Sequence, residues 1–432
     1  MRCKDTKKTN KNVGYYIFLC NFAAKFDFMH KIIIGLLGIA LLCSCNKKDD
    51  PEPTPEPTVY DRTVLVYMSG ENDLTTSGFM ADDLLEMDEG SYQLNDNQHL
   101  IVFIDSVGTT NPPHIIEIAK GKRKVLYQYN SEFAASDPSK FREVIQWTID
   151  NYPSKDYGLV LWGHATGWAV DADSVANVQR TRAYGYDYGY DSYIGRKAMN
   201  ITQMAKALED MPKFKYIFAD CCCFMCVESA YELRNAADYL IGSPAEIPGE
   251  GAPYHTLTKH LFDTTDEFYK SIADTYFSQT INGYHVPLSV ISTKHIEQLA
   301  WATGKALSSL GWTGDGCPDL RGLIHYNGKE KNEVMYDMNA IMQEYLPEVS
   351  EEAYKEWRMA FDSVVVYKKY ASRWMTNQLI DFNSFQMSEE AYGGVSMFVP
   401  QRRTTPSNYA KYNNMIEKTS WYWAARLNEL GW

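Results

Sequence analysis

No stretch of the 432 residues is apolar for long enough to cross a bilayer as a helix. The most hydrophobic run, IIIGLLGIALL at 32–42, has eleven residues where a span needs about 20. No P-loop and no GxGxxG turn opens a helix after an apolar run, so nucleotide chemistry has no support. Apart from a PEPT tandem at 51–58 there is no internal repeat, which argues against a solenoid or propeller. Positive charge is scarce, 42 Lys/Arg against 55 Asp/Glu for a net charge of -13. A surface of that sign repels nucleic acid and anionic membranes and suits cationic ligands, although acidity is also common among soluble proteins. The nine cysteines do not form a staple pattern: Cys3, Cys20, Cys43 and Cys45 lie early, Cys317 is alone, and Cys221, Cys222, Cys223 and Cys226 cluster. A zinc site in that cluster lacks a second ligand pair of the C-x-x-C or H-x-x-x-H kind. What remains, at 45% hydrophobic and 22% charged, is the composition of an ordinary globular protein.

The front of the chain reads as an address. His30 and Lys31 precede the apolar run and Cys43-Ser44-Cys45 follows it, the layout of a signal peptide, with Met29 a natural translation start. Leu42 to Cys45 resembles a bacterial lipobox, and Cys45, preceded by the small Ser44, is the expected lipidation site. Residues 46–50, NKKDD, resemble the export tag of surface lipoproteins in some Gram-negative envelopes. The first 44 residues hold seven Lys/Arg and two Asp/Glu, so their removal takes the net charge from -13 to -18. A Pro-rich tether, stiff and extended, follows to residue 58. The expectation is a lipid-anchored protein of the outer membrane, with a plain signal peptide or an anchor helix as the alternatives.

Beyond Val59, short apolar runs of the kind found in buried strands recur at Thr63–Met68, Leu100–Ile104, Ile115–Ile118, Lys124–Tyr129, Gly158–Trp162, Tyr216–Ala219, Tyr239–Gly242, Leu288–Ser292 and Gly394–Val399. Segments with helical spacing lie between many of them, such as Lys140–Asp150, Ile201–Leu208, Val227–Ala236, Thr265–Gln279 and His295–Leu310. This alternation predicts an α/β fold with a mostly parallel sheet covered on both faces. The expected layout is a signal and lipobox segment (1–45), a tether (46–58) and a core (59–310). A helical C-terminal region (311–432) would return Gly394–Val399 to the same sheet.

In such sheets functional side chains gather beyond the carboxyl ends of the strands. Two strands end suggestively. Leu159–Trp162 delivers His164 into a Gly-containing turn, and Tyr216–Ala219 delivers Asp220 and three cysteines ahead of a helix. A cysteine there would feel the helix N-terminus and, beside a histidine, would be an activated nucleophile. Taken singly, a lone histidine or a buried cysteine is more often structural.

The wording of these segments is more specific. Trp162-Gly163-His164-Ala165-Thr166-Gly167-Trp168 resembles the histidine motif W-x-H-G-x-G-W of the clostripain family, and Asp220-Cys221-Cys222-Cys223-Phe224-Met225-Cys226-Val227-Glu228 resembles its nucleophile motif D-A-C-L-M-x-x-V-E. The opening strand with Asn72-Asp73-Leu74, and Pro248-Gly249-Glu250-Gly251-Ala252-Pro253-Tyr254, extend the likeness over residues 63 to about 254. The resemblance implies a caspase-like α/β/α sandwich and a cysteine endopeptidase. It selects Cys222 as nucleophile and His164 as its partner in a dyad, with the backbone N–H groups of Cys222 and Ala165 as oxyanion hole. It implies cleavage of protein or peptide substrates after Arg or Lys, with Asp220 and Glu250 as the S1 acids. Glu250 is longer than the family's Asp, Ala252 replaces its Trp, and Ala165 replaces a glycine, which would crowd the backbone if a positive φ were needed. Cys221 and Cys223 either pack or guard the nucleophile. Self-cleavage is expected in the polar loop Asp171–Lys197, at Arg180 or Arg182, with Arg196 a further candidate. No cofactor is required; calcium, which some relatives use, could meet Asp171, Asp173, Asp187 and Asp191, but these lack EF-hand spacing and also read as a hydrophilic loop. A monomer that binds no nucleic acid is expected. The competing reading is an inactive relative serving as a surface binding protein.

Overall fold

The computed structural model describes residues 59–108, 112–168, 184–187, 197–281, 283–314, 316–326, 335–376, 381–384, 388–400 and 412–432. The expected lipidation site Cys45 and the self-cleavage candidates Arg180, Arg182 and Arg196 lie outside them, as do Asp171, Asp173 and Asp191.

Strand β1 (Tyr60–Gly70) is buried from Thr63 onward on both faces. Its even residues Val64, Val66 and Met68 enter one core, and Leu65 and Tyr67 the other. That is why it reads as a continuous apolar run and not as an alternating one. β2 (Gln98–Ser106) lies parallel to it, and the hairpin strands β3 (His114–Ala119) and β4 (Lys122–Gln128) extend that edge antiparallel. β5 (Ser154–Gly163) flanks β1 on its other side, also parallel. Two short strands, β6 (Tyr184–Asp187) and β7 (Lys197–Met199), pair with each other outside the main sheet. β8 (Phe214–Asp220) and β9 (Ala237–Gly242) continue it in parallel, and β10 (Leu288–Ser292) turns antiparallel. After β11 (Tyr336–Asp337), β12 (Val365–Lys369) closes the far edge, giving the order β12-β10-β9-β8-β5-β1-β2-β3-β4. The remaining pairs are the hairpin β13 (Arg373–Thr376) with β14 (Asp381–Ser384), and β11 with β15 (Ser396–Met397).

One expectation is corrected here. The C-terminal region does return a strand to the sheet, but it is β12, not Gly394–Val399. In that later segment only Ser396–Met397 is a strand, and it pairs with β11. Side chains take much of its backbone hydrogen bonding: Asp337 accepts from the Gly393 and Gly394 amides at 2.9 and 3.0 Å, and Glu228 from Phe398 N at 2.7 Å. β12, reading VVYKK, hides its strand character because its edge position tolerates two lysines, Lys369 reaching Asp274 and Lys368 the Tyr392 carbonyl. Thr58–Trp432 is one compact unit, so the core and the C-terminal region are not separate bodies. Among the described residues no helix is long and apolar enough to cross a membrane.

The two cores are covered differently. On the face of Val64 and Trp162 lie the helices Phe79–Gly90, Tyr254–Leu261 and Phe268–Ser278, which contribute Met80, Leu84, Tyr254, Leu257, Phe268 and Tyr276. On the opposite face lie Pro138–Asn151, Ile201–Ala207, Val227–Glu232 and Ile296–Leu310.

Candidate active site

β1, β5 and β8 all end at the same edge of the sheet, with Ser69 opposite Gly163 and Trp162 opposite Asp220. Their closeness there needs glycine. Gly163 sits at φ +142, and a Cβ on it would stand 2.9 Å from Ser69 O. The turn that follows is pinned from outside the sheet: Tyr184 donates its hydroxyl to Tyr67 O at 2.9 Å and to Trp162 O at 3.1 Å, and Gly185 N donates to His164 O at 2.9 Å. Gly167, at φ +75, brings this loop onto the cysteine loop. A Cβ there would lie 2.7 Å from Cys223 O and 3.2 Å from Cys226 Sγ.

The result is a cavity of about 470 Å³ lined by His164 and Cys222 together, with Trp162, Asp220, Glu246 and Met375 among its walls. This falls within the range of pockets that take up a small ligand or a short piece of a larger one. His164 is part-exposed, and its Nε2 lies 2.8 Å from Asp73 Oδ1. Asp73 opens a short helix capped by the fully buried Asn72, whose side chain donates to Ser69 O and Tyr186 O and accepts from Leu74 N. A neutral imidazole that gives its Nε2–H to this carboxylate keeps Nδ1 as proton acceptor. Asp73 is more than half exposed, so the pairing orients more than it stabilises.

Cys222 does not sit where a helix N-terminus would act on it. The helix starts five residues later at Val227 and is capped by Cys226. The Cys222 thiol instead meets the backbone of Ile247, accepting from its N–H at 3.4 Å. Burial, then the charge of Glu246, push the thiol up to about 12 against the opposite pull of the Ile247 N–H, with Asp220 adding a smaller push. The resting group is therefore a thiol and not a thiolate, which corrects the helix-activated picture. The chain turns sharply after it: Cys223 adopts φ +54, its N–H donates to Ala245 O at 2.8 Å, and Met225 N donates to Ser243 O at 3.1 Å. Ala165 is not among the residues with positive φ, so its methyl does not crowd the turn as a family glycine's absence had suggested. Cys221, Cys223 and Cys226 form no disulfide and are buried in the core.

The two expected S1 acids part company. Asp220 lines the cavity with its carboxylate held by Ala252 N (3.2 Å), Tyr254 OH (2.9 Å) and Tyr276 OH (3.2 Å). Burial outweighs these donors and pushes it up to about 6, so it is ionised at neutral pH. Gly251, at φ +57, lets the loop close on it, for a Cβ would stand 2.9 Å from Asp220 Oδ2. Glu250 is exposed and does not line the cavity, whereas Glu246 does. Asp187, the one calcium candidate within the described residues, is buried at the end of β6. Among the described residues no group of three or more His, Cys, Asp or Glu is arranged to hold a metal ion.

Four contributors were not legible as such: Asp73, Glu246, Met375 and Asp83. Met375 reaches the cavity because β13 bridges Glu246 antiparallel, a long-range contact without local signature. Asp83 did leave a trace. It falls three residues after Met80 on the stripe of Met80, Leu84 and Met87, and a carboxylate on an apolar helix face calls for a buried partner. That partner is Trp162, whose Nε1–H it accepts at 2.6 Å.

The clostripain family profile matches residues 66–430. A secreted C11 cysteine protease from Bacteroides thetaiotaomicron, solved in complex with an irreversible peptide inhibitor, is 28% identical with a TM-score of 0.69, covering 85% of this chain and 99% of its own. An inactive zymogen C11 protease from Parabacteroides distasonis is 25% identical with the same TM-score, over 86% and 99%. A second secreted C11 cysteine protease from Bacteroides thetaiotaomicron, iotapain, shares the fold at 21% identity and TM-score 0.69, over 85% and 100%. No curated protein is similar enough to match.

Proposed function

The chain belongs to the clostripain family of cysteine peptidases, and on that premise we propose that it is an endopeptidase cleaving after Arg or Lys, with Cys222 as nucleophile and His164 as proton carrier. The observation that carries this reading is the shared cavity: a thiol, an imidazole and the buried carboxylate of Asp220 open into one space. A P1 guanidinium or ammonium entering it would meet a charge already desolvated and fixed by three donors, the arrangement that rewards a cation most.

The reaction follows from the protonation states. With the resting thiol protonated, His164 takes the Cys222 proton as Sγ attacks the scissile carbonyl carbon. The oxyanion falls to the backbone N–H groups of Cys222 and Ala165, each such donor being worth roughly 10²–10³ in rate. The C–N bond breaks as His164 returns the proton to the leaving amine. Water, deprotonated by the same imidazole, then attacks the thioester carbonyl and releases the acid and the thiol. Substrates are proteins or peptides, no cofactor takes part, and the working unit is the single chain.

The test is turnover of fluorogenic peptides differing only at P1. Arg and Lys are expected to exceed Asn and Asp by at least two orders of magnitude in kcat/KM, since a substrate that leaves the buried carboxylate without a counter-charge forfeits about 3 kcal/mol or more. A preference for uncharged P1 residues would discard the specificity and keep the peptidase.

Two of the solved relatives are described as secreted, which is consistent with export of this chain. We place the mature N-terminus at a lipidated Cys45 that tethers the enzyme to the outer membrane through the Pro-rich segment 46–58. Radiolabelled palmitate is expected to enter the protein in the native host and to be lost in Cys45→Ala; equal labelling of both forms would refute the anchor.

A further inference from the structure

Asp83 is 3% exposed and does not line the cavity, yet it holds a residue that does: its Oδ2 accepts the Trp162 Nε1–H at 2.6 Å. Trp162 and Asp220 stand side by side in register on β5 and β8. Both belong to the face covered by Phe79–Gly90, Tyr254–Leu261 and Phe268–Ser278. Two carboxyls thus share one buried region, Asp220 in the pocket wall and Asp83 behind it. Asp82 and Glu86 act on Asp83 from its own helix, with Glu86 3.2 Å from His255 Nδ1 on the neighbouring helix. Asp220 is met by the hydroxyls of Tyr254 and Tyr276, by Glu86, and by the thiol of Cys222, which in turn faces Glu246.

We propose that Asp83 is a specificity-determining residue: with Asp220 it forms a two-carboxyl base for the S1 pocket whose charge runs from none to two, and so sets how strongly a P1 cation is preferred over its neutral isostere. The inference rests on the reading of S1 as a cation pocket. Burial and the charge of Asp220 push Asp83 up to about 9, while burial pushes Asp220 up to about 6. The two steps belong to the pair. Below the lower step the base is neutral, between them it holds one proton and one charge, and above the upper step it holds two charges. A P1 arginine stays cationic throughout.

The experiment compares peptides identical except for arginine or citrulline at P1, from pH 5 to 10. Any pH dependence of the chemical step is common to both peptides and cancels in the ratio of their kcat/KM values. In the unaltered enzyme the Arg/citrulline ratio is expected to climb through about pH 6 and again through about pH 9, each unit of coupling between the P1 cation and the base raising it about tenfold. Asp83→Asn keeps an oxygen for Trp162 and is expected to retain the lower step and lose the upper. An upper step that survives in Asp83→Asn, or is missing from the unaltered enzyme while arginine is preferred at neutral pH, overturns the role of Asp83 alone. The second of these outcomes decides the matter even where the variant does not fold. No preference for arginine over citrulline at any pH overturns the cation pocket and this inference with it.

Discussion

Cys222→Ala is expected to lower kcat/KM on an arginyl peptide by about 10⁶, and His164→Ala by about 10⁴–10⁶, the losses found when the nucleophile or base of a peptidase is removed. The double variant is expected to be no worse than Cys222→Ala, because the two groups act on one proton and their effects do not add. His164→Ala carries a sharper signature. Burial and the nearby acids push the Cys222 thiol up to about 12. Without a base to take its proton, the reactive thiolate fraction rises about tenfold per pH unit below that value. The residual rate of His164→Ala should therefore climb about tenfold per unit from pH 7 to 10. The unaltered enzyme, whose base does this work, should depend far less steeply on pH over that range. Initial rates on one fluorogenic peptide across that range distinguish the two. More than about 1% of activity remaining in Cys222→Ala, set against the expected 10⁶, would remove the cysteine from its role.

The strands that build the site were readable because burial on both faces erases polar alternation. β1, β5 and β8 show as plain apolar runs whose ends point to His164 and Asp220. Helices were readable where one apolar stripe met water on the other side, as in Pro138–Asn151 and Ile296–Leu310. What was not readable is whatever depends on the other side of a contact. The helix Phe79–Gly90 places Asp83 on its apolar stripe, which signals a buried partner but does not say that the partner is the indole N–H of Trp162. Glu250 and Glu246 lie four residues apart in one loop, and only the path of that loop against β13 decides which of them borders the cavity. The Cys222 environment is the clearest case. A strand followed by a helix suggested a lowered thiol, but the turn after Cys222 spends four residues before the helix begins, leaving burial and two acids in control.

Asp220→Asn should separate activity from stability in opposite directions. The substitution is nearly isosteric and its hydrogen bonds can be kept: one amide oxygen can accept from Ala252 N and Tyr254 OH, and the amide nitrogen can donate to Tyr276, whose hydroxyl then accepts. What is lost is the charge. Against an arginyl peptide the variant leaves a desolvated guanidinium without its anion, a loss of 3–5 kcal/mol or about 10²–10⁴ in kcat/KM, whereas the citrulline peptide should lose less than tenfold. Stability moves the other way. Burial pushes the Asp220 carboxyl up to about 6 in the folded chain, above the ordinary value near 4 that it has unfolded. Between about pH 4 and 6 the unfolded chain releases this proton while the folded chain holds it, so folding loses stability as pH rises and the loss is complete above about 6. At pH 7.5 the asparagine variant escapes a penalty of up to roughly 3 kcal/mol. Its Tm should rise by a few degrees at pH 7.5, and the gain should vanish at pH 4, where both proteins present a neutral side chain. A pocket that binds cations through a buried carboxylate must keep that carboxylate short of solvation in the free enzyme, and the same shortage is what the peptidase gives up in stability. A variant that loses arginine selectivity and is also less stable at pH 7.5 would mean that the three donors, and not the missing water, dominate Asp220.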